Sequence, residues 1–145
     1  MYVDTVAFPI ILIRIPADPD ERTLEAFFES YEAVIARGQR FITISDATAV
    51  SSRPSPVVRK RIADWTSKIE PKMVALSVGD ARVVQNALIR GAMTAIGWLH
   101  QHPIEQKWFT TLDEAVAWSL EKLDHAGVAV PPHARSVLTT RTAAR

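Results

Sequence analysis

Polar residues that follow a strand-like segment are the first place in this chain where chemistry could reside. After residues 41–45 the sequence continues with one carboxylate and four hydroxyls, at Asp46, Thr48, Ser51, Ser52 and Ser55. Ligand contacts in α/β folds often lie at the carboxyl ends of strands. A phosphate on a serine just before a helix would meet free backbone amides and the positive end of the helix. The pattern therefore predicts a phosphorylation or ligand-binding loop.

The same residues also have a purely structural interpretation, which the sequence favours. Asp46 is suited to capping its own turn, because aspartate side chains bond the backbone two residues on. Ser55 and Pro56 have the order of an N-cap followed by proline at the first helical position. No histidine, nucleophile or second carboxylate is placed to form an acid–base pair with Asp46. We therefore expect no enzymatic activity, no cofactor and no metal site.

Short apolar segments along the chain predict the strands that would position this loop. The secure ones cover residues 10–15, 41–45 and 73–78, and a less regular one covers residues 104–109. Residues 3–8 are suited either to an additional N-terminal strand, antiparallel to the rest, or to an extension of the first strand that bends at Pro9. The run at 73–78 is continuously apolar, which is typical of a strand buried on both faces.

Four helices are predicted between and after these strands. Asp18 suits the N-cap of the first helix, and Ser55 begins the second, which Pro71 is expected to end. The third is predicted over residues 81–99. Thr111 begins the fourth with a capping box. Strands that alternate with helices predict an α/β domain with a four- or five-stranded, mostly parallel sheet and about four helices.

Length and composition divide the chain into one domain and a tail. The chain has 145 residues, 48% of them hydrophobic, which fits a single globular domain at residues 1–127. Residues 128–145 contain two prolines, three arginines and no acidic residue. This composition predicts an extended or disordered basic tail.

Charge and cysteine content bound the partners and the compartment. The net charge is +1, so no overall field favours nucleic acid or an anionic membrane surface. No segment approaches the roughly 20 apolar residues of a membrane helix, so membrane insertion is not expected. The chain contains no cysteine, which excludes disulfides and is typical of a reducing compartment. We therefore expect a cytoplasmic protein without a nucleic-acid partner.

The predicted helix at residues 81–99 is apolar over most of its circumference. Such a helix must be covered by more than one neighbour. The cover is either the rest of the domain or a second subunit, and the second option predicts a homodimer. Trp118 lies off the inward stripe of its own predicted helix and could join the same surface. The candidate interface residues are Ile89, Met93, Ile96, Trp98 and Trp118.

The order of these elements resembles that of the STAS domain superfamily. Residues 10–15 resemble the opening strand of the family, and residues 41–46 its central strand ending in aspartate. Residues 73–78 resemble the next strand, and residues 107–118 the closing strand and helix. The resemblance covers roughly residues 4–125 and is closest to the SpoIIAA-like branch, which is related in shape to lipid-binding SEC14-like domains.

This resemblance implies a single STAS-like domain that acts in bacterial signalling by binding a protein partner, as anti-sigma factor antagonists do. The related lipid-binding domains imply an alternative, a module for a small apolar ligand. A phosphoserine-controlled switch is a further alternative, because signalling members carry a phosphorylated serine in an Asp-Ser-Ser-Gly motif. Residues 49–56 contain serines but not that aspartate–serine pair or the glycine. By position, the corresponding candidates are Ser51, Ser52 and Ser55.

Overall fold

A five-stranded sheet forms the centre of the computed structural model, which describes residues 1–51, 54–87, 90 and 103–143. The first strand pairs antiparallel with the second, and all the other pairs are parallel. The predicted α/β class and mostly parallel sheet are therefore confirmed. In both chain and spatial order, the strands are β1 (Tyr2–Asp4), β2 (Ile10–Arg14), β3 (Phe41–Asp46), β4 (Ser77–Val83) and β5 (Gln106–Phe109).

Helices cover both faces of this sheet. Apolar side chains alternate along β2, so that Ile11 and Ile13 face one helical layer while Ile10 and Leu12 face the other. A sheet whose two faces are both apolar requires cover on both sides. The helices formed by described residues are α1 (Glu21–Ala36) and α2 (Pro56–Leu76) on the first face, and α3 (Leu112–His125) and α4 (Pro132–Ala143) on the second. None of them combines the length and apolarity needed to cross a membrane.

Local capping signals fix the starts of three helices. Ser55 Oγ accepts a hydrogen bond from Val58 N at 3.2 Å, and Thr111 forms the expected capping box at the start of α3. Both N-caps were predicted and are confirmed. The predicted N-cap at Asp18 is wrong. Asp20 has the extended backbone of an N-cap and accepts from Thr23 N at 2.7 Å, so α1 begins two residues later than the prediction.

The junction between α2 and β4 differs from the prediction. Helix α2 continues through Pro71 to Leu76, and the strand lies at Ser77–Val83 rather than at residues 73–78. Proline removes only the hydrogen bond to the C=O of Ser67, which is exposed and open to water. Met73 packs against the apolar cluster between α1, α2 and the sheet, and this tertiary contact favours helix. A short apolar run does not by itself distinguish helix from strand.

The predicted helix at residues 81–99 is therefore wrong at its start, because residues 81–83 belong to β4. They alternate between the two faces of the sheet, as a strand requires. The predicted interface residues Ile89, Met93, Ile96 and Trp98 lie outside the described residues.

Trp118 is a core residue, which corrects its predicted place at an interface. Its side chain is 8% exposed and packs over Gly79 of β4 and against Phe109, with ring centroids 5.8 Å apart. The absence of a side chain at Gly79 gives the indole its space on the sheet. The residue spacing within α3 could not predict this contact, because it depends on a glycine in a distant strand.

The C-terminal segment also differs from the prediction, because residues 132–143 form helix α4 instead of an extended or disordered tail. Ala134 and Leu138 are four residues apart and are both buried in the cluster beneath α3. Arg141 forms an ion pair with Asp4 of β1, whose side chain is 8% exposed. The burial of Ala134 and Leu138 and the ion pair between Arg141 and Asp4 stabilise α4. Composition alone did not indicate these contacts.

Replacing Gly79 by alanine is expected to destabilise the protein by about 1–3 kcal/mol. A Cβ atom at Gly79 would lie 2.9 Å from Trp118 Cη2 and 3.2 Å from Ile42 Cδ1, so the sheet or α3 must shift. Urea unfolding of Gly79→Ala measures the loss. In a Trp118→Leu background the same substitution should cost less, because the nearest atom is gone. An unchanged unfolding midpoint for Gly79→Ala would contradict this packing.

Candidate functional site

The predicted loop begins at Asp46, at the carboxyl end of β3. The Asp46 side chain is 4% exposed, and its Oδ1 accepts hydrogen bonds from Thr48 N at 3.1 Å and Thr48 Oγ1 at 2.7 Å. The backbone of the same turn is tied to both neighbouring strands, by Ile15 N to Asp46 O and by Ala47 N to Val83 O. Asp46 and Thr48 are thus brought together as predicted, and their contact shapes the turn.

The serines of the loop have different environments. Ser51 is exposed, and Ser55 is exposed while its hydroxyl caps α2. Ser52 lies outside the described residues. Two residues after the cap, Val57 is 56% exposed, which makes it one of four large apolar side chains open to solvent among the described residues. The loop and the first turn of α2 therefore present hydroxyls and an apolar side chain on one stretch of surface.

A second polar cluster, which the sequence did not reveal, lies on the sheet face that α1 and α2 cover. Its centre is Asp80 of β4, an interior strand. Asp80 Oδ1 accepts from Thr43 Oγ1 of β3 at 3.0 Å, and Asp80 Oδ2 accepts from Arg82 Nε at 2.8 Å and from Gln106 Nε2 of β5 at 3.3 Å. One carboxylate thus connects three adjacent strands.

Arg82 lies one row closer to the carboxyl ends of the strands. It pairs in register with Ser45 of β3 and Trp108 of β5, so these side chains point to the same face. The guanidinium carbon lies 5.1 Å from the centroid of the Trp108 ring, a cation–π distance. The Arg82 side chain is 32% exposed. Asp80 bonds one edge of the guanidinium, and the Trp108 indole packs against one of its faces. These two contacts fix its position.

Tyr31 of α1 extends toward this cluster from the helical layer. It is 5% exposed, and its ring packs edge-on against Phe41 of β3 with the centroids 6.0 Å apart. Burial raises the pKa of Tyr31 far above its ordinary value, the Asp80 carboxylate raises it further, and Arg82 acts in the opposite direction. The phenol is thus held in its neutral form beside the charged pair.

The residue pattern of β4 contains a signal for this cluster that the predicted elements do not reflect. The predicted strand at residues 73–78 and the predicted helix at residues 81–99 leave Gly79 and Asp80 between two elements. The alternation from Ser77 to Val83, in which small or apolar residues at 79, 81 and 83 alternate with charged residues at 80 and 82, is the period of a strand. The strand was predicted instead at the apolar run just before it, residues 73–78.

Comparison with known proteins adds no assignment for these residues. No protein-family model matches the chain, and no curated protein matches it. Among the described residues, no group of three or more histidine, aspartate or glutamate side chains is arranged to hold a metal ion. The STAS resemblance stays a prediction.

The raised pKa of Tyr31 predicts a specific loss of stability in alkaline solution. The unfolded phenol ionises near its ordinary value of 10.0, while the folded state resists ionisation. The contribution of neutral Tyr31 to the free energy of unfolding is therefore fully present below pH 10.0 and is lost as the pH rises above that value. Wild type should lose up to about 1.4 kcal/mol per pH unit relative to Tyr31→Phe in this range. Urea unfolding on both sides of pH 10.0 measures the difference, and parallel pH profiles would contradict it.

Proposed function

We propose that this protein is a non-enzymatic regulatory domain that binds a protein partner through the loop after β3 and the first turn of α2. The observation that carries the proposal is the exposure of Val57, at 56%, two residues after the exposed cap residue Ser55. An apolar side chain among hydroxyls suits a protein interface with a polar rim. The STAS resemblance implies a partner of the same kind.

The state of Asp46 supports a binding role rather than a catalytic one. Its carboxylate accepts two hydrogen bonds from Thr48 and is buried beneath the loop. A general base must reach the proton that it removes, and a carboxylate engaged in a turn is poorly placed to do so. Asp46 instead gives the loop a defined shape, which lowers the entropy cost of binding a partner.

Control of this surface by phosphoserine is the second candidate, and the exposure of Ser51 favours it. Ser51 precedes the N-cap of α2 by four residues, and the dipole of this 21-residue helix attracts negative charge to its N-terminus. Ser55 is the less suitable acceptor, because its hydroxyl already receives the hydrogen bond from Val58 N. Phosphorylation of Ser51 would add charge beside Val57 and change which partner binds.

The homodimer, the apolar-ligand alternative and the cytoplasmic location stay predictions. Four of the five predicted interface residues lie outside the described residues, and the fifth, Trp118, is in the core. A surface groove of about 510 Å³ between α1 and α2 is lined mainly by charged side chains, which suits an apolar ligand poorly.

Two exposed valines of α2 give a matched test of the proposed interface. Val57 lies at the start of the helix, and Val74, 44% exposed, lies near its end. Val57→Asp should weaken partner retention from an extract of the native source at least about tenfold, the loss expected for a central interface residue. Val74→Asp should leave retention unchanged.

Both variants replace a solvent-exposed side chain, so thermal unfolding should show that each remains folded. Equal retention by wild type and Val57→Asp would refute the proposed surface. Equal loss in both variants would indicate a general effect of charge on α2 and would also count against it.

A further inference from the structure

Asp80 and Arg82 are unusual because they occupy the interior strand of a mostly parallel sheet. Strands in that position are commonly continuous apolar runs, since both faces are covered. Charged groups there lose hydration, which is costly unless partners replace it. Asp80 is compensated by Thr43, Arg82 and Gln106. The carboxylate therefore has three donors, whereas the arginine, with five N–H groups, donates only one of them to a described residue.

Arg82 donates one of its five N–H groups to a described residue. Its Nε donates to Asp80 at 2.8 Å, and no acceptor for its two terminal nitrogens is found in the part of the chain that the structure describes. Those nitrogens present the fork geometry that matches the two oxygens of a carboxylate or phosphate group. Because Asp80 and Trp108 already fix the guanidinium, little side-chain entropy is lost when an anion binds.

Two hydroxyls accompany this arginine. Ser45 is the register partner of Arg82 on β3 and is half-buried on the same face. Tyr31, 5% exposed in the helical layer above the sheet, interacts electrostatically with both Asp80 and Arg82. The cluster thus combines a cation, held between Asp80 and the Trp108 ring, with neighbouring hydroxyls at the carboxyl ends of parallel strands, where α/β folds bind ligands.

We propose that Arg82, held in place by Asp80 and by the face of Trp108 and with the Ser45 hydroxyl beside it, binds the oxyanion of a small molecule, a carboxylate or a phosphate group. This site is separate from the loop proposed above to bind a protein partner, and either proposal can fail without the other. The competing interpretation is that Arg82 serves only to neutralise Asp80. The two interpretations differ in whether an added anion accepts hydrogen bonds from the terminal nitrogens of Arg82.

Nuclear magnetic resonance of the full-length chain tests the site with inorganic phosphate and with acetate as probes, at constant ionic strength. The Trp108 indole N–H and the Arg82 Nε–H are the reporters. At least one anion should shift both signals saturably, with a Kd on the order of 1 mM for so small a ligand. Saturation by phosphate but not acetate would assign a phosphate group, and the reverse a carboxylate.

Two substitutions of Arg82 and one control complete the experiment, with Trp108 as the common reporter. Arg82→Gln should abolish the saturable shift, and Arg82→Lys, which keeps the charge but loses the fork, should weaken binding about tenfold. The exposed Arg59 of α2 provides the control, and Arg59→Gln should bind as wild type does. If Arg82→Gln fails to fold, Arg82→Lys still decides the outcome. No saturable shift in wild type with either anion, or an equal shift in wild type and Arg82→Lys, would overturn the proposal.

Discussion

The hydrogen bonding of Asp80 is the interaction on which the central part of the sheet depends. This carboxylate belongs to the interior strand β4, and its partners Thr43 and Gln106 belong to the strands on either side. An ionised group in such a place is tolerated only when donors replace its lost hydration. The need to satisfy Asp80 therefore fixes the register of three strands, and with it the position of Arg82 one row further along.

The rest of the architecture follows from a sheet that is apolar on both faces. Ile10 and Ile11 are adjacent on β2 and are both fully buried, yet they point in opposite directions. Cover on both sides is unavoidable. One side is closed by α1 and α2 with an aromatic cluster in which Phe28 and Trp65 stack at 4.4 Å. The other side is closed by α3, which approaches closely enough to place Trp118 over Gly79.

Features set by local interactions could be predicted from the sequence. The N-caps at Ser55 and Thr111 depend on side chains that bond the backbone three residues on, and both were identified. The turn at Asp46 was likewise predicted, because an aspartate that bonds the residue two positions on needs no distant partner. This part of the candidate site could therefore be predicted from the sequence alone.

Features set by distant residues could not be predicted in this way. Met73 is helical because of its contacts with a remote apolar cluster, and α4 is held by Asp4 of β1, more than a hundred residues away along the chain. The cluster around Asp80 depends on the pairing of β4 with two other strands, so a misplaced β4 concealed it. The resemblance to a known family supplied the order of elements without their bounds.

A double-mutant cycle between Thr43 and Asp80 tests most directly whether β4 lies in the sheet as described. Thr43→Val, Asp80→Ala and the double variant are compared with wild type by urea unfolding. Because the two side chains are hydrogen-bonded register partners, the account predicts a coupling energy of about 1 kcal/mol or more. Additivity to within about 0.3 kcal/mol would show that the two residues do not interact and would contradict the account.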